Sequence, residues 1–520
     1  MARAAPTLLA AALATLYVVV SPRTGDLSAH VFRAELFGRE GLTVWNNAWY
    51  GGHHTPAYSV LFPPLAWALG PWLAGAVGAV ASAALFAPLA RRHFGQRAWA
   101  GTMLFAAGTA ATLFAGRLTF SLGIALGLAS ALALQRGRPM AAGVLAVACS
   151  LASPVAGLFL ALGCVALAAT SHRRDAALVG VVALAPPGLL TLAFPEGGNQ
   201  PFVLSSLLPV PLFAVALLAL LPREQRVLRV GVVLYALACV ASFLVPTPMG
   251  GNAVRLGQVV GPGLALCLAS TTVARGRARA GAWVLLVPAL LVWQWTPAWR
   301  DVSKTRANPS VEAAFYAPLN RALERRERSA ERIEIPFTRE HWEAAQVAPR
   351  FPLARGWLRT IDIAHNGLFY EPGLDAAGYG RWLRDNAVGV VAVADAPLDY
   401  SARAEAAIVA SRPAFLSAPR RAGPWRLYEV RGAHPLATAE PGADVRAVRL
   451  EPGRVVLDVR RAGSAIVRVR WSPYAAMRGG CVERAGRWTR ISSARPGRRE
   501  LRPRFSLDRT IARGRRCARL

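Results

Sequence analysis

The stretch Arg91-Arg92-His93-Phe94-Gly95-Gln96-Arg97 decides how the first half of this chain reads. It closes an apolar run from Leu65 to Ala90, and four further arginine clusters follow, at Arg136–Arg138, Arg173–Arg174, Arg223–Arg229 and Arg275–Arg279. Between one cluster and the next lie about 35–50 residues, enough to cross a bilayer and return. Basic residues collect on the cytoplasmic ends of membrane spans. If all five clusters are cytoplasmic, the segments between them are hairpins with outward-facing tips, and polar residues at those tips can share one external site.

Composition agrees with a multi-pass membrane protein. Of 520 residues, 54% are hydrophobic, and up to about Trp295 acidic residues are rare. Beyond that point Arg, Asp, Glu and Pro become frequent, which marks a water-exposed region large enough to bury its own core. The net charge of +31 suggests nucleic acid at first sight. The topology puts most of that charge outside the membrane, so anionic lipids or phosphate-bearing envelope polymers are the expected polyanionic contacts, and nucleic acid is not.

The expected architecture is an α-helical polytopic membrane domain over 1–295, with about eleven spans and an external loop at 21–60. An extracytoplasmic α/β domain over 296–433 and a β-sandwich-like domain over 434–520 follow it. Met1 to Val20 reads as the first membrane helix rather than a signal peptide, and the last span leaves the membrane at Trp293-Gln294-Trp295. An odd number of spans starting inside places everything after Thr296 outside. Val311, Phe315, Leu319 and Leu323 predict an amphipathic helix. Strand-like runs at Arg332–Phe337, Val388–Ala394 and Trp425–Val430 alternate with helical ones at Ala376–Asn386 and Ala402–Ser411. From about Leu436 short β-runs take over: Val445–Leu450, Val455–Val459, Ala465–Trp471, Trp488–Ser492 and Arg499–Leu507.

The first 295 residues hold only six acids: Asp26, Glu35, Glu40, Asp175, Glu196 and Glu224. Asp175 and Glu224 lie beside cytoplasmic arginine clusters, which leaves Asp26, Glu35, Glu40 and Glu196 as external general bases. Asp26 leads, because on a helix it shares a face with His30 and Arg33, which can tune its proton affinity. The same loop carries Trp45, Asn46, Trp49, Tyr50, His53 and His54, and aromatic planes beside amides suit carbohydrate. His53 and His54 with Asp26 could hold a divalent cation, although no cofactor is required. Arg117 and Arg255 sit at outer tips, where a guanidinium fork matches a phosphate. Gly250-Gly251-Asn252 beside Arg255 gives that loop freedom to approach a ligand. Cys481 and Cys517 fall in the external part, where a disulfide could persist.

These residues resemble the GT-C superfamily of membrane glycosyltransferases that use polyprenyl-phosphate sugars. More narrowly, Gly25-Asp26 with His30, Trp45 with Trp49-Tyr50-Gly51, and Gly251-Asn252 with Arg255 are similar to bacterial membrane proteins labelled 6-pyruvoyl-tetrahydropterin synthase-related. Leu353-Ala354-Arg355-Gly356-Trp357 and Tyr379-Gly380-Arg381-Trp382-Leu383 add to that likeness. The pterin enzyme of the label would need a soluble metal-binding histidine set, which the chain lacks. The superfamily resemblance implies an inverting transfer with Asp26 as base and a polyprenyl-phosphate-linked sugar as donor. The acceptor would be an envelope glycan, lipid or protein. The chain departs from members with two adjacent acids in the first loop, since Gly25 and Leu27 flank Asp26. A non-catalytic envelope-assembly protein and a lipid or glycan transporter are the alternatives. The topology is testable: single cysteines replacing Thr119 and Thr247 are expected to react with an impermeant thiol reagent from the outer face, and reaction from the cytoplasm alone would reverse the map.

Overall fold

Hydrocarbon leaves a backbone no hydrogen-bond partner but itself, and long apolar helices build the first of two compact units, Met1–His30 with Ala57–Arg306. The structure is a computed structural model that describes residues 3–171, 173–272, 277–326 and 330–512, with the side chains of 511 and 512 set aside. Among the described residues seven helices are long and apolar enough to cross a membrane, or eight if the bent pair Ala5–Val20 and Gly25–Glu40 is one span. One of the seven, Pro71–Phe114, joins helices Pro71–Phe94 and Trp99–Phe114 through a 3-10 turn at Gly95–Ala98. Phe86 stacks on Phe105 at 4.0 Å across that turn, so the chain doubles back there.

The expectation of about eleven spans counted those two helices separately. It also counted the shorter apolar helices Pro139–Ala152 and Leu204–Leu220. A helix the length of Pro139–Ala152 is about 21 Å long at 1.5 Å per residue, short of a ~30 Å hydrocarbon core. The last span also differs from expectation. Its helix is Arg277–Thr305, continuing past Trp295 with Pro297 inside it, so the first unit ends at Arg306 rather than near 295.

Helix approach in this unit depends on small residues. A Cβ on Gly101 would lie 2.5 Å from the Gly263 carbonyl oxygen, and one on Gly263 would lie 3.0 Å from that of Gly101. Among the described residues, side chains of several basic clusters reach a neighbouring helix end. Arg91 donates to the Arg3 carbonyl, His93 pairs with Gln225 at 2.8 Å, and Arg173 donates to the Leu134 carbonyl.

The second unit is Val31–Pro56 with Ala307–Leu520. Its α/β part holds a four-stranded mixed sheet in the order β3-β4-β6-β5, from Arg332–Glu334 (β3), Val388–Ala394 (β4), Arg420–Ala422 (β5) and Trp425–Glu429 (β6). Only β3 and β4 pair in parallel. Every residue of β4 is buried, which explains its unbroken apolar reading in the sequence. The expected helices are found at Ala313–Glu324, Ala376–Asp385 and Arg403–Ala410.

Two antiparallel sheets follow. One is Cys481–Ala485 (β12), Trp488–Ser493 (β13), Gly463–Arg470 (β10) and Ala437–Ala439 (β7). The other is Ala475–Met477 (β11), Gly497–Pro503 (β14), Arg454–Arg461 (β9) and Asp444–Glu451 (β8). Val455, Leu457 and Val459 of one sheet and Ala465, Val467, Val469 and Ile491 of the other share one core, so the pair is a sandwich. Strands β7, β11 and β12 were not expected; the first two are three residues each, too short to show alternation.

A small hairpin, Trp45–Asn46 (β1) against His53–His54 (β2), joins sheet and sandwich inside this unit. Trp45 belongs to the sandwich core. The Tyr50 hydroxyl donates to the Gly356 carbonyl at 2.6 Å and accepts from the Leu358 N–H, while the Tyr50 carbonyl accepts from Arg470 Nε at 2.7 Å. Trp49 is stacked between Phe32 and His53, and a Cβ on Gly356 would lie 2.3 Å from its ring. Gly356→Ala is therefore expected to lower the stability of this unit by about 1–3 kcal/mol, measurable as an earlier unfolding transition of the full chain in detergent. An unchanged transition would mean that the Trp49 packing yields without cost.

Candidate active site

Three helices of the membrane unit begin at the same place. Asp26 is the second residue of helix Gly25–Glu40. Arg117 is the N-terminal cap of helix Leu118–Gln135, in the turn after Phe114. Arg255 opens helix Arg255–Thr272. The positive ends of three helix dipoles thus converge, an arrangement that attracts anions.

Arg255 Nη2 lies 4.0 Å from Asp26 Oδ2, with the Arg255 side chain 18% exposed and that of Asp26 43% exposed. The guanidinium also sits 5.8 Å over the Phe120 ring. Arg117 donates to Gln258 Oε1 at 3.0 Å. The turn is tight: Gly116 has φ +70°, and a Cβ there would meet Thr24 Oγ1 at 2.6 Å and Asp26 Cβ at 3.4 Å. Glycine lets this turn pack so closely against the first residues of the Asp26 helix. Arg300 and Asp301, on the last helix, pair with each other at 3.1 Å, and their charges act on both Asp26 and Arg117. An accessible carboxylate thus sits among guanidiniums, able to take a proton from a hydroxyl while a bound anion occupies the arginines.

Sequence reasoning named Asp26, Arg117 and Arg255, and these come together. It missed Gln258, Arg300 and Asp301. The last two lie past Trp295, where the span was expected to have ended, so only the extra helical turns bring them in.

Several other expected ligand residues serve packing. His30 is 1% exposed, its ring against Phe62 at 5.2 Å and Tyr58 at 6.0 Å. Arg33 is buried as well. Trp45, Asn46, Trp49, Tyr50, His53 and His54 were expected to line a sugar site, but all are buried in the second unit. The Asn46 amide oxygen accepts from the Ala48 N–H, and His54 Nε2 meets Ser472 Oγ at 3.1 Å. These rings are the core that joins sheet to sandwich, with no face left for a sugar.

Asn252 is half-buried in the 3-10 turn Gly250–Val254. The neighbouring glycines approach protein instead of ligand: a Cβ on Gly250 would lie 1.8 Å from the Gln200 carbonyl oxygen, and one on Gly251 2.9 Å from that of Pro201. Glu35 pairs with Arg39. Among the described residues no three His, Cys, Asp or Glu side chains are grouped to hold a metal, so the divalent cation gains no ligand set. The pairing of Cys481 with Cys517 lies outside the described residues, because Cys517 does.

The second unit contains a different polar cluster. Arg355, 1% exposed, lies between the Phe337 and Phe369 rings at 3.9 and 4.0 Å and bonds Asp362 and Glu405. Next to it, Arg359 forks onto Asp399, and His341 stacks on Trp357 at 3.5 Å. Burial alone would raise the Asp399 carboxyl, but His341 and Arg359 hold it well below the usual carboxylate range. Burial pushes His341 down to about 4 and Glu343 up to about 8. Arg355, Asp362, Glu405, His341 and Glu343 are at most 2% exposed, so this is a structural network.

No known protein family and no curated protein matches the chain. Among solved structures it is similar to the cryo-EM structure of arabinofuranosyltransferase AftD from Mycobacteria, at 13% identity and a TM-score of 0.48. The match covers 96% of this chain and 60% of that one, so this chain spans less than two thirds of its neighbour's length. A likeness at that identity and score assigns neither family nor activity.

The buried network carries a pH signature. Glu343 titrates at about 8 when folded and at ~4.3 when unfolded. Between those values only the folded state keeps its proton, so its contribution falls as pH rises through that window. His341 works oppositely: titrating at about 4 when folded against ~6.5 unfolded, it adds stability as pH rises between them. Glu343→Gln is expected to flatten the loss of stability toward pH ~8, read as the unfolding midpoint of the full chain across pH. An identical slope in the variant would show that Glu343 does not hold its proton there.

Proposed function

We propose that this chain is a membrane glycosyltransferase acting at the outer face of a bacterial plasma membrane. It transfers a sugar from a polyprenyl-phosphate donor to a hydroxyl of an envelope glycan, lipid or protein. The observation that supports this most is the meeting of an accessible carboxylate, Asp26, with Arg255 and Arg117 at three helix N-termini. The placement of the arginine clusters at other helix ends, and the sequence resemblance to the GT-C superfamily, agree with it.

In this reading the prenyl tail lies among the spans and the phosphate between Arg255 and Arg117. The Asp26 carboxylate takes the proton of the acceptor hydroxyl. The freed oxygen pair attacks the anomeric carbon from the face opposite the phosphate. The bond from that carbon to the phosphate oxygen breaks, and its electron pair leaves with the phosphate. One displacement inverts the anomeric centre. The leaving group carries its charge from the start, and the Arg255 and Arg117 guanidiniums stabilise it as that charge grows.

Asp26→Asn keeps the shape and removes the base, so turnover is expected to fall by a hundredfold or more, on the order of 10²–10⁴ for a general base. Arg255→Ala is expected to lose roughly a hundredfold. Both are read with purified full chain, a polyprenyl-phosphate sugar and envelope acceptor. Transfer by Asp26→Asn at the wild-type rate would remove the mechanism. A wild-type chain that binds donor without transferring would favour the envelope-assembly reading.

A further inference from the structure

The two arginines of the site are held differently. Arg255 has a long ion pair with Asp26 at 4.0 Å and an aromatic ring beneath it at 5.8 Å. Arg117 is fixed by a side chain: its Nη1 donates to Gln258 Oε1 at 3.0 Å. Gln258 is 5% exposed, and its amide nitrogen donates to the Trp293 carbonyl at 3.4 Å. A buried amide thus spends its acceptor on Arg117 and its donor on the last helix, Arg277–Thr305. One residue along each helix a second glutamine makes the reciprocal tie. Gln294 Nε2 donates to the Val259 carbonyl at 3.3 Å, and the amide fills the notch left by Gly108, where a Cβ would lie 2.3 Å from it. The two glutamines cross-link the same helix pair, and of these two ties only Gln258 also holds a charged residue of the site.

Resting on the function proposed above, we infer that Gln258 is a positioning residue that aims the Arg117 guanidinium at the phosphate of the prenyl-linked donor. A guanidinium on a free side chain must lose rotamer entropy to meet a phosphate. One already oriented by a buried amide has lost it beforehand, so binding is tighter. Position 117 ends a turn of three residues between helices, where the backbone sets the origin of the side chain but not the direction of its end. Gln258 supplies that direction. Gln294, with the same chemistry and the same helix partners, provides the internal control.

The test is equilibrium binding of a polyprenyl monophosphate to the purified full chain in detergent, which requires no turnover. Gln258→Met keeps length and removes both hydrogen bonds. It is expected to weaken binding about tenfold, the equivalent of one charge-assisted hydrogen bond. Gln294→Met removes the other inter-helix tie and is expected to stay within about twofold of wild type. In an Arg117→Ala background, Gln258→Met is expected to add less than about twofold, because its effect runs through Arg117. If Arg117→Ala weakens binding while Gln258→Met does not, or if the two losses add in full, the positioning role is overturned and the proposed function stands. If Gln258→Met and Gln294→Met weaken binding equally, Gln258 acts through helix packing and the inference also falls. Should Arg117→Ala and Arg255→Ala both bind like wild type, the donor site itself is misplaced.

Discussion

An ionised side chain in hydrocarbon costs several kcal/mol unless it reaches water or a partner, and the membrane unit is arranged around that constraint. Its arginines sit at helix ends, in two groups of different character. At one set of ends they come in clusters, where Arg91 and Arg173 donate to neighbouring carbonyls and Arg173 also pairs with Asp175 beside it. At the other set Arg255 pairs with the accessible Asp26, and Arg117 feels both that acid and Asp301. The same constraint that sorts charge to the ends thus also brings the few polar residues of the unit into one place.

The candidate site is assembled from chain termini of helices rather than from their middles. Three helix N-termini bring positive dipole ends to Asp26, and a left-handed glycine at 116 lets the turn close over it. The last helix contributes Arg300 and Asp301 because it continues past Trp295 to Thr305. Each contribution comes from a different part of the sequence, with Asp26 and Asp301 nearly the whole unit apart. Helix packing through small residues, as between Gly101 and Gly263, holds these ends in register.

The aromatic loop after Asp26 teaches a different lesson. Trp45, Trp49 and Tyr50 have the composition of a sugar platform, yet they are core. A loop rich in Trp, Asn and Gly suits both uses, since stacking faces and amides serve protein and carbohydrate alike. Burial decides between them, and burial is invisible in a single sequence when the partner segment, Leu353–Leu358, lies some three hundred residues away. The Leu353 N–H donates to the Ala48 carbonyl and the Gly356 carbonyl accepts from the Tyr50 hydroxyl, and the rings then fill the space between sheet and sandwich.

What the sequence determined by itself was local and periodic. Apolar runs bounded by arginines gave the helices and their hairpins, and alternation with turn residues gave most strands of the second unit. The scarcity of acids before Trp295 singled out Asp26, because so few candidates could exist where charge is expensive. Tertiary structure decided which of the polar residues meet. That Arg117 and Arg255 reach Asp26, that Gln258 holds Arg117, and that His30 and His53 turn into packing are outcomes of contacts between distant segments. Spacing along the chain carries no distance information across such separations, so only the folded arrangement could settle them.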